Sequence, residues 1–249
     1  MSWLSALRSA LDQASHPVEF FIRDDDAGWA DARLLALVDL IAGRSLPLDL
    51  AVIPRALRPE LAYVLLERRY DSPAPLGFHQ HGLVHHNHEL EGRKCEFGRS
   101  RSRALQLEDL AEGRRLLEAR LGHRCDPIFT PPWNRCTATT AECLLELGFR
   151  ALSRESRAEP FALDGLAELP VSVDWFAHRK GVRLTREQLG ERLAEASRGS
   201  APVGLMLHHA VMGPAERDAL AQLCDLLAEH PRAAVRPMGT LVAAAPAPA

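Results

Sequence analysis

Residues 21–28 read FIRDDDAG, an apolar strand-like run that ends in three consecutive carboxylates. Four more apolar runs along the chain also end in a polar cluster, and these clusters lie at residues 79–85, 130–135, 174–175 and 208–209. Because the carboxyl ends of parallel strands form one face of an α/β protein, clusters far apart in sequence meet there. The sequence therefore predicts an active site at that face.

Strand-like and helix-like segments alternate along most of the chain. Strands are predicted over residues 18–23, 48–53, 76–80, 127–129, 151–153, 169–173 and 203–207, with one more at 234–235. Helices are predicted over residues 30–41, 59–69, 105–121, 137–147, 185–196 and 214–228. This alternation indicates parallel strands joined by right-handed crossovers. About seven strands in a chain of this length favour an α/β fold of the (β/α)7 barrel type, with an open doubly wound sheet as the alternative.

Length and composition predict one domain. The 249 residues are 47% hydrophobic and 25% charged, which suffices for a single buried core. We therefore expect one catalytic domain over residues 1–249, with an N-terminal helix within residues 1–16. The last residues, 243–249, are only Ala and Pro and are expected to form a flexible tail.

Charge and cysteine usage narrow the class of protein. A formal net charge of −3 gives no overall attraction to nucleic acid or to an anionic membrane. The five cysteines have no paired spacing, which favours free thiols in a reducing compartment. No apolar run has the length of a signal peptide core or of a membrane span. We expect a cytoplasmic protein without nucleic-acid or membrane partners, and the oligomeric state stays open.

The three adjacent aspartates suggest a metal site. Like charges in a row repel one another and cost stability unless a cation or an arginine offsets them. Asp24, Asp25 and Asp26 stand where a buried strand ends, so a metal is one explanation of the run. A solvated Asp-rich turn that caps the next helix is the other.

A histidine cluster supports the metal. Residues 77–88 read GFHQHGLVHHNH and hold five of the eleven histidines. On a helical turn, the four-residue spacing of His81 and His85 would bring both imidazoles to one ion. A surface pair without a ligand is the alternative, but several neutral imidazoles beside an apolar strand each need a partner. Metal ligation is therefore favoured.

Taken in order, these clusters resemble the motifs of the polysaccharide deacetylase family, the NodB-homology group of carbohydrate esterases. The family motifs are a strand ending Thr-Phe-Asp-Asp-Gly, a His-Ser/Thr-x-x-His pair, an Arg-Pro-Pro-Tyr-Gly-like loop, an Asp-x-x-Asp-Trp-like segment and a strand ending Leu-His-Asp. Residues 23–27, 81–85, 130–134, 174–175 and 207–208 match them in the same order. The resemblance spans residues 20–209 and implies a distorted barrel of the NodB-homology type.

The resemblance also implies roles for single residues. Asp25 would be the general base, His208 the general acid, and Asp26, His81 and His85 the ligands of a divalent metal, usually Zn2+. Three protein ligands leave a coordination position for water, as hydrolytic sites require. The implied reaction removes an acyl group, typically acetyl, from an N-acylated carbohydrate or a related amide. Alternatives are hydrolysis of another C–N or ester bond on a small intracellular substrate, and an inactive saccharide-binding barrel.

This chain departs from the family pattern at several positions. Thr130 replaces the arginine that orients the base carboxylate, and Arg23 or Arg135 is the candidate substitute. Asp24 replaces a phenylalanine, so base and ligand could instead be Asp24 and Asp25. His79 is an alternative ligand, because it lies two residues from His81 on the same strand face. His209 replaces the final aspartate, and its participation stays open.

Four residues are the predicted substrate-binding set: Trp133, Arg135, Asp174 and Trp175. The two tryptophans are expected to wall the pocket by stacking on a sugar ring or enclosing an acyl methyl group. Plugging of the barrel mouth is the alternative for both. Asp174 is expected to hold Arg135, Arg23 or the acid in place.

An insertion over residues 89–103 carries five basic side chains. A flexible basic loop over the site could select an anionic substrate. A solvated loop without a role is the alternative. Cys95 within it is a candidate for an extra ligand or a reactive thiol, with a spectator as the alternative.

Overall fold

The computed structural model describes residues 2–244, and within them it contains eleven strands and eight α-helices. The strands are β1 Val18–Ala27, β2 Leu48–Val52, β3 Leu76–His81, β4 Cys125–Thr130, β5 Ala151–Leu152, β6 Ala167–Glu168, β7 Val173–Asp174, β8 His178–Arg179, β9 Val182–Arg183, β10 Val203–Leu207 and β11 Ala233–Val235. The helices are α1 Ser5–Asp12, α2 Asp31–Ala42, α3 Pro59–Asp71, α4 Arg103–Leu121, α5 Ala138–Glu146, α6 Arg186–Ser197, α7 Pro214–Glu229 and α8 Met238–Ala244.

One parallel sheet organises the molecule. Its strand order is β6-β5-β4-β3-β2-β1-β10-β7. On the side of β1 that faces β10, residues 18–20 of β1 pair with β11 and residues 20–24 pair with β10. Every ladder in this sheet is parallel, as the alternation of strands and helices predicts. The carboxyl ends of the strands therefore point to one mouth.

The sheet closes through a single extended segment, residues 167–175. On one side, the amides of Leu169 and Val171 donate to the carbonyls of residues 152 and 154, at 3.0 and 2.8 Å. On the other side, Ser172 and Trp175 donate to the carbonyls of residues 204 and 206, at 2.8 and 2.9 Å. β6 and β7 are thus two parts of one strand position, and seven positions complete the ring. This is the distorted (β/α)7 barrel that the sequence predicts, rather than an open sheet.

Alternation along β1 separates the barrel interior from the helix-covered exterior. Phe20 and Ile22 face outward into the main apolar core, where they join residues of α2, α3 and α7. Phe21 faces inward and packs in a smaller cluster with Met206 and Met238. Because side chains alternate with a period of two, Arg23 and Asp25 continue the inward face toward the mouth.

Some parts of the structure were not predicted from the sequence. A short antiparallel hairpin, β8-β9, follows β7, and α8 follows β11. Of the predicted flexible tail, Ala243 and Ala244 belong to α8, whereas residues 245–249 lie outside the described residues. Across residues 2–244, none of the helices combines the length and the apolar character that crossing a membrane requires.

Candidate active site

Three potential metal ligands meet at the carboxyl ends of β1 and β3. Asp26 Oδ1 lies 3.3 Å from His81 Nε2 and 3.2 Å from His85 Nε2. One ligand atom from each residue lies within 4.8 Å of the other two. Asp26 Oδ1 and His81 Nε2 are buried and have no hydrogen-bond partner. Buried polar atoms without partners cost free energy, and an oxygen with two imidazole nitrogens suits a divalent ion, so these residues fit a metal.

The backbone, not a helical turn, brings the two imidazoles together. His81 is the last residue of β3, and His85 lies in the loop that follows, with φ 59°. The predicted helical spacing is therefore wrong in its geometry, although the pair does meet, with ring centroids 5.2 Å apart. Asp26 also has a positive φ of 69°, at an irregularity in the pairing of β1 with β2. Such bulges and left-handed residues redirect side chains at functional sites.

A carbonyl oxygen orients His81. Its Nδ1 lies 2.9 Å from the backbone oxygen of Thr130, which can only accept, so Nδ1 carries the hydrogen and Nε2 presents a lone pair whenever the ring is neutral. Burial raises the pKa of Asp26, but the neighbouring His81 and His85 outweigh it and lower the pKa to about 2. Burial and the adjacent His81 lower the pKa of His85 to about 4. An ionised carboxylate and a neutral His85 are the states that metal binding needs.

Asp25 is held by Arg23 from the same strand. Arg23 Nε donates to Asp25 Oδ1 at 2.8 Å and Nη2 donates to Oδ2 at 2.9 Å. The remaining guanidinium hydrogens go to Ser153 and Asn134. Burial opposes ionisation of Asp25, but Arg23 and His81 outweigh it and lower the pKa of the carboxyl. Arg23 thus takes the place of the missing arginine at Thr130.

Arg135, the other candidate for this role, is engaged elsewhere. Its Nη1 donates to the backbone oxygen of Lys94 at 3.0 Å. Asp25 forms its ion pair with Arg23 and not with Arg135.

Asp24 points the opposite way and pairs with His209. Its Oδ2 lies 2.6 Å from His209 Nδ1, and its Oδ1 accepts the His209 backbone amide at 2.9 Å. His209 Nε2 lies 2.8 Å from the Trp29 carbonyl oxygen. Burial lowers the pKa of His209, but Asp24 outweighs it and the pKa is raised. Each aspartate therefore has its own cationic or imidazole partner, and assigning base and ligand to Asp24 and Asp25 does not fit this geometry.

His208 directly follows β10, the strand that pairs with β1, so it lies at the same mouth beside the aspartates. It is half-buried, and its ring centroid lies 6.4 Å from that of Phe176. It is within electrostatic range of Asp25, Asp26 and Asp174. The sequence-predicted acid thus shares the site with the predicted base.

Among the described residues Asp174 forms no ion pair with Arg23 or Arg135, so of its three predicted partners His208, which lies within electrostatic range, remains. Asp174 Oδ1 accepts the Phe176 amide at 2.8 Å, so Asp174 closes its own turn. Burial raises its pKa, which the nearby His208 only partly offsets.

His79 is not one of the three clustered donors. It is buried inside the barrel, and its Nε2 lies 2.9 Å from Thr130 Oγ1. Burial and the charge of Arg23 lower its pKa to about 3. His79 therefore stays neutral at the pH values where metal would bind.

The two predicted tryptophans have different positions. Trp133 lies beside His85, with ring centroids 4.4 Å apart, and Trp29, which was not predicted, packs on the same imidazole at 4.9 Å. Trp175 is 2% exposed, and its Nε1 donates to Glu216 at 2.7 Å in the outer core. The prediction that Trp175 lines the pocket is wrong, because strand alternation turns it outward when Asp174 faces the mouth.

The basic insertion is packed against the histidine loop. Glu96 is 1% exposed and accepts the amides of Val84 and Leu83 at 2.9 and 3.3 Å. It therefore supports the loop that carries His85, and the only sequence signal for this role is an acidic residue between Cys95 and Phe97. Cys95 is buried, which raises its pKa to about 11, and it lies outside the ligand cluster. The prediction of a solvated or flexible loop is wrong for this central part.

The chain matches no protein-family model and no curated protein sequence. Solved structures do match. A Mycobacterium smegmatis protein described as a polysaccharide deacetylase superposes with a TM-score of 0.65 and 16% identity, over 93% of each chain. A family 4 acetyl xylan esterase from Clostridium thermocellum, in complex with a cobalt ion, gives 0.61 and 13% over 90% of each chain. A family 4 pseudoenzyme from Bacillus anthracis gives 0.60 and 12%, over 91% of this chain and 66% of that one.

These similarities establish the fold. The chain has the NodB-like barrel of polysaccharide deacetylases and family 4 carbohydrate esterases, as its motifs predict. Because the neighbours include both enzymes and a pseudoenzyme, activity has to be argued from the residues of the site.

Proposed function

We propose that the protein is a metal-dependent hydrolase that removes an acyl group, preferably acetyl, from an N-acylated carbohydrate. One observation carries the proposal. A three-donor cluster stands next to an ionised carboxylate that a buried arginine holds by two hydrogen bonds. A barrel that only bound saccharides would need neither the donor cluster nor the Asp25–Arg23 pair. Burying both sets of polar groups costs free energy of folding, which favours a functional role for them.

Asp26, His81 and His85 would hold the ion, and two nitrogens with one carboxylate oxygen favour Zn2+ over harder ions. Bound by these residues, Zn2+ would supply Lewis acidity, which can polarise an acyl oxygen and lower the pKa of water from about 15.7 towards about 7. Asp25 is ionised and oriented by Arg23, so it accepts a proton from the attacking water. His208, which follows β10 next to β1, would donate a proton to the departing amine.

The surroundings support attack on a small acyl group. Trp29 and Trp133 flank His85 and form an apolar wall beside the ligand cluster. A flat apolar wall excludes water and suits an acetyl methyl or the face of a sugar ring. The cobalt complex of the Clostridium thermocellum esterase and the acetate complex of a family 4 carbohydrate esterase from Streptomyces lividans support such a site.

Metal content and turnover, measured separately, test the proposal. Protein stripped with a chelator and reloaded with Zn2+ or Co2+ is assayed for bound metal by elemental analysis, and for acetate release from N-acetylated sugar oligomers. We expect Asp26→Ala and His81→Ala to lose the metal. Asp25→Asn and His208→Ala should keep the metal and lose about 100-fold or more in turnover.

His86→Ala is the matched control, since His86 is an exposed histidine of the same loop outside the ligand cluster. It should retain both metal and turnover. Full metal content in His81→Ala, or undiminished turnover in Asp25→Asn, would contradict the assignment.

An inactive saccharide-binding barrel is the second candidate, favoured by the pseudoenzyme among the structural neighbours. The two candidates differ in one result, because only the hydrolase releases acetate in a metal-dependent way. Cytoplasmic location stays a prediction from the sequence.

A further inference from the structure

A cavity of about 280 Å³ lies beside two side chains that contact Arg23. Asn134 and Met206 line this cavity, and both contact Arg23, at 2.8 Å to the Asn134 oxygen and 3.1 Å to the Met206 sulfur. Trp133 and Asp174 line it as well. One layer of side chains thus separates the cavity from Arg23, which in turn holds Asp25.

Four arginines from four separate segments surround the cavity: Arg93, Arg135, Arg157 and Arg192. None of the four forms an ion pair with a carboxylate within the part of the chain that the structure describes. Arg135 Nε is moreover buried without a hydrogen-bond partner. Glu155 and Asp174 are the carboxylates of the lining, so positive charge is in excess.

Convergence of these like charges needs a reason. Burial and the neighbouring Arg93 lower the pKa of Arg135, which shows that the two guanidinium groups repel each other. By contrast, Arg183 and Arg186 share the carboxylate of Glu216. Guanidinium groups that line one cavity without a carboxylate partner are suited to an external carboxylate or phosphate, which they bind by paired hydrogen bonds.

We propose that this cavity binds an anionic oxygen group of the substrate, so that the hydrolase acts on an acidic saccharide. The proposal rests on the proposed function for the reaction, but the binding itself does not depend on it. Ligand pockets commonly measure about 300–1,000 Å³, and a cavity just below this range holds one charged sugar unit rather than a long chain. The anionic group is a carboxylate or a phosphate, which the experiment distinguishes.

Binding is measured by calorimetric titration in the Asp25→Asn variant, with glucuronic acid, glucose 6-phosphate and glucose as probes. We expect one or both acidic sugars to bind, with an affinity that falls as salt is raised, and glucose to bind much more weakly. Arg157→Gln and Arg192→Gln should each weaken binding about five- to tenfold, the loss expected for one charge-assisted hydrogen bond in a partly solvated site. Arg115→Gln, an exposed arginine of α4, is the matched control and should leave binding unchanged.

The relative affinities of the two acidic sugars identify the group as carboxylate or phosphate. Equal binding of glucose and the acidic sugars, or unchanged binding in both arginine variants, would overturn the proposal. Because turnover is absent from this assay, loss of the acidic preference refutes only the anion site, whereas absent acetate release refutes only the hydrolase. In the active protein, the same two arginine variants should raise KM for acidic substrates and leave kcat unchanged.

Discussion

Replacing Arg23 by glutamine tests whether this arginine holds the base. The guanidinium uses all five of its hydrogens on oxygen acceptors, and two of these bonds reach Asp25. Arg23→Gln removes the charge and most of these bonds but leaves Asp25 almost fully buried, with 4% of its side chain exposed. The variant therefore leaves the Asp25 carboxylate buried without a cationic partner.

The structure sets the size of the effect. Removing one partner of a buried ion pair costs about 3–5 kcal/mol of unfolding free energy. For a chain of this length, each kcal/mol lowers Tm by about 2–4 °C, so we expect a decrease of roughly 6–20 °C at pH 7. Turnover should fall about 100-fold, because Asp25 loses its fixed orientation.

The effect on stability has a defined pH dependence. The pair lowers the pKa of Asp25 in the folded state below its ordinary value of 3.8. Such a carboxylate contributes stability above that value, and the contribution is lost as pH falls through the lower folded pKa. The difference in stability between the wild type and Arg23→Gln is therefore expected at pH 7 and should shrink in acid.

The assay is chemical denaturation of chelator-stripped protein, for the wild type, Arg23→Gln, Asp25→Asn and the double variant. The double variant should be more stable than Arg23→Gln alone, because neutralising Asp25 removes the unpaired charge. Arg154→Gln, which breaks the Arg154–Glu168 pair on β6 at 2.8 Å, is the matched control and should lose stability while retaining turnover. Stability of Arg23→Gln within about 1 kcal/mol of the wild type, or no recovery in the double variant, would refute the reasoning.

Two further predictions concern Glu96 and Asp49, buried carboxylates that are not among the proposed catalytic residues or metal ligands. Glu96→Ala should weaken Zn2+ binding about 10- to 100-fold in a calorimetric titration, because the loop carrying His85 loses its support, and Glu96→Gln should weaken it less. Glu89→Gln, in the same insertion but bonded to Ser100, is the control, and equal affinity in Glu96→Ala and Glu89→Gln would argue against the role. Asp49 accepts the Met238 amide at 3.0 Å, and burial raises its pKa from 3.8 to about 7. The folded state therefore binds an extra proton between these values, so stability falls as pH rises from about 4 to 7. Asp49→Asn should remove this dependence and gain up to about 4 kcal/mol at pH 8, as measured by urea denaturation, and an unchanged pH profile would disprove it.

The sequence by itself predicted the barrel, and its resemblance to the deacetylase motifs supplied the candidate ligand set. Apolar runs alternating with amphipathic segments specify parallel strands, and the carboxyl ends of such strands share one face whatever the details of packing. Asp26, His81 and His85 meet because each stands at or just beyond the end of its strand. Strand–helix alternation and polar residues at strand ends are local sequence patterns, so both can be recognised without coordinates.

The tertiary structure alone decided how neighbouring side chains divide their roles. Asp24 and Asp25 point to opposite faces of β1, as the pairing of β1 with β10 and β2 requires. Asp26 is turned by its positive φ at the irregularity in the β1–β2 pairing. The same alternation turns Trp175 into the core while Asp174 faces the mouth. Arg23 donates a hydrogen bond to Ser153, which is distant in sequence, and Glu96 accepts one from Val84 across an irregular loop. Strand register and long-range packing set these contacts, and a shift of one residue exchanges the two faces of a strand.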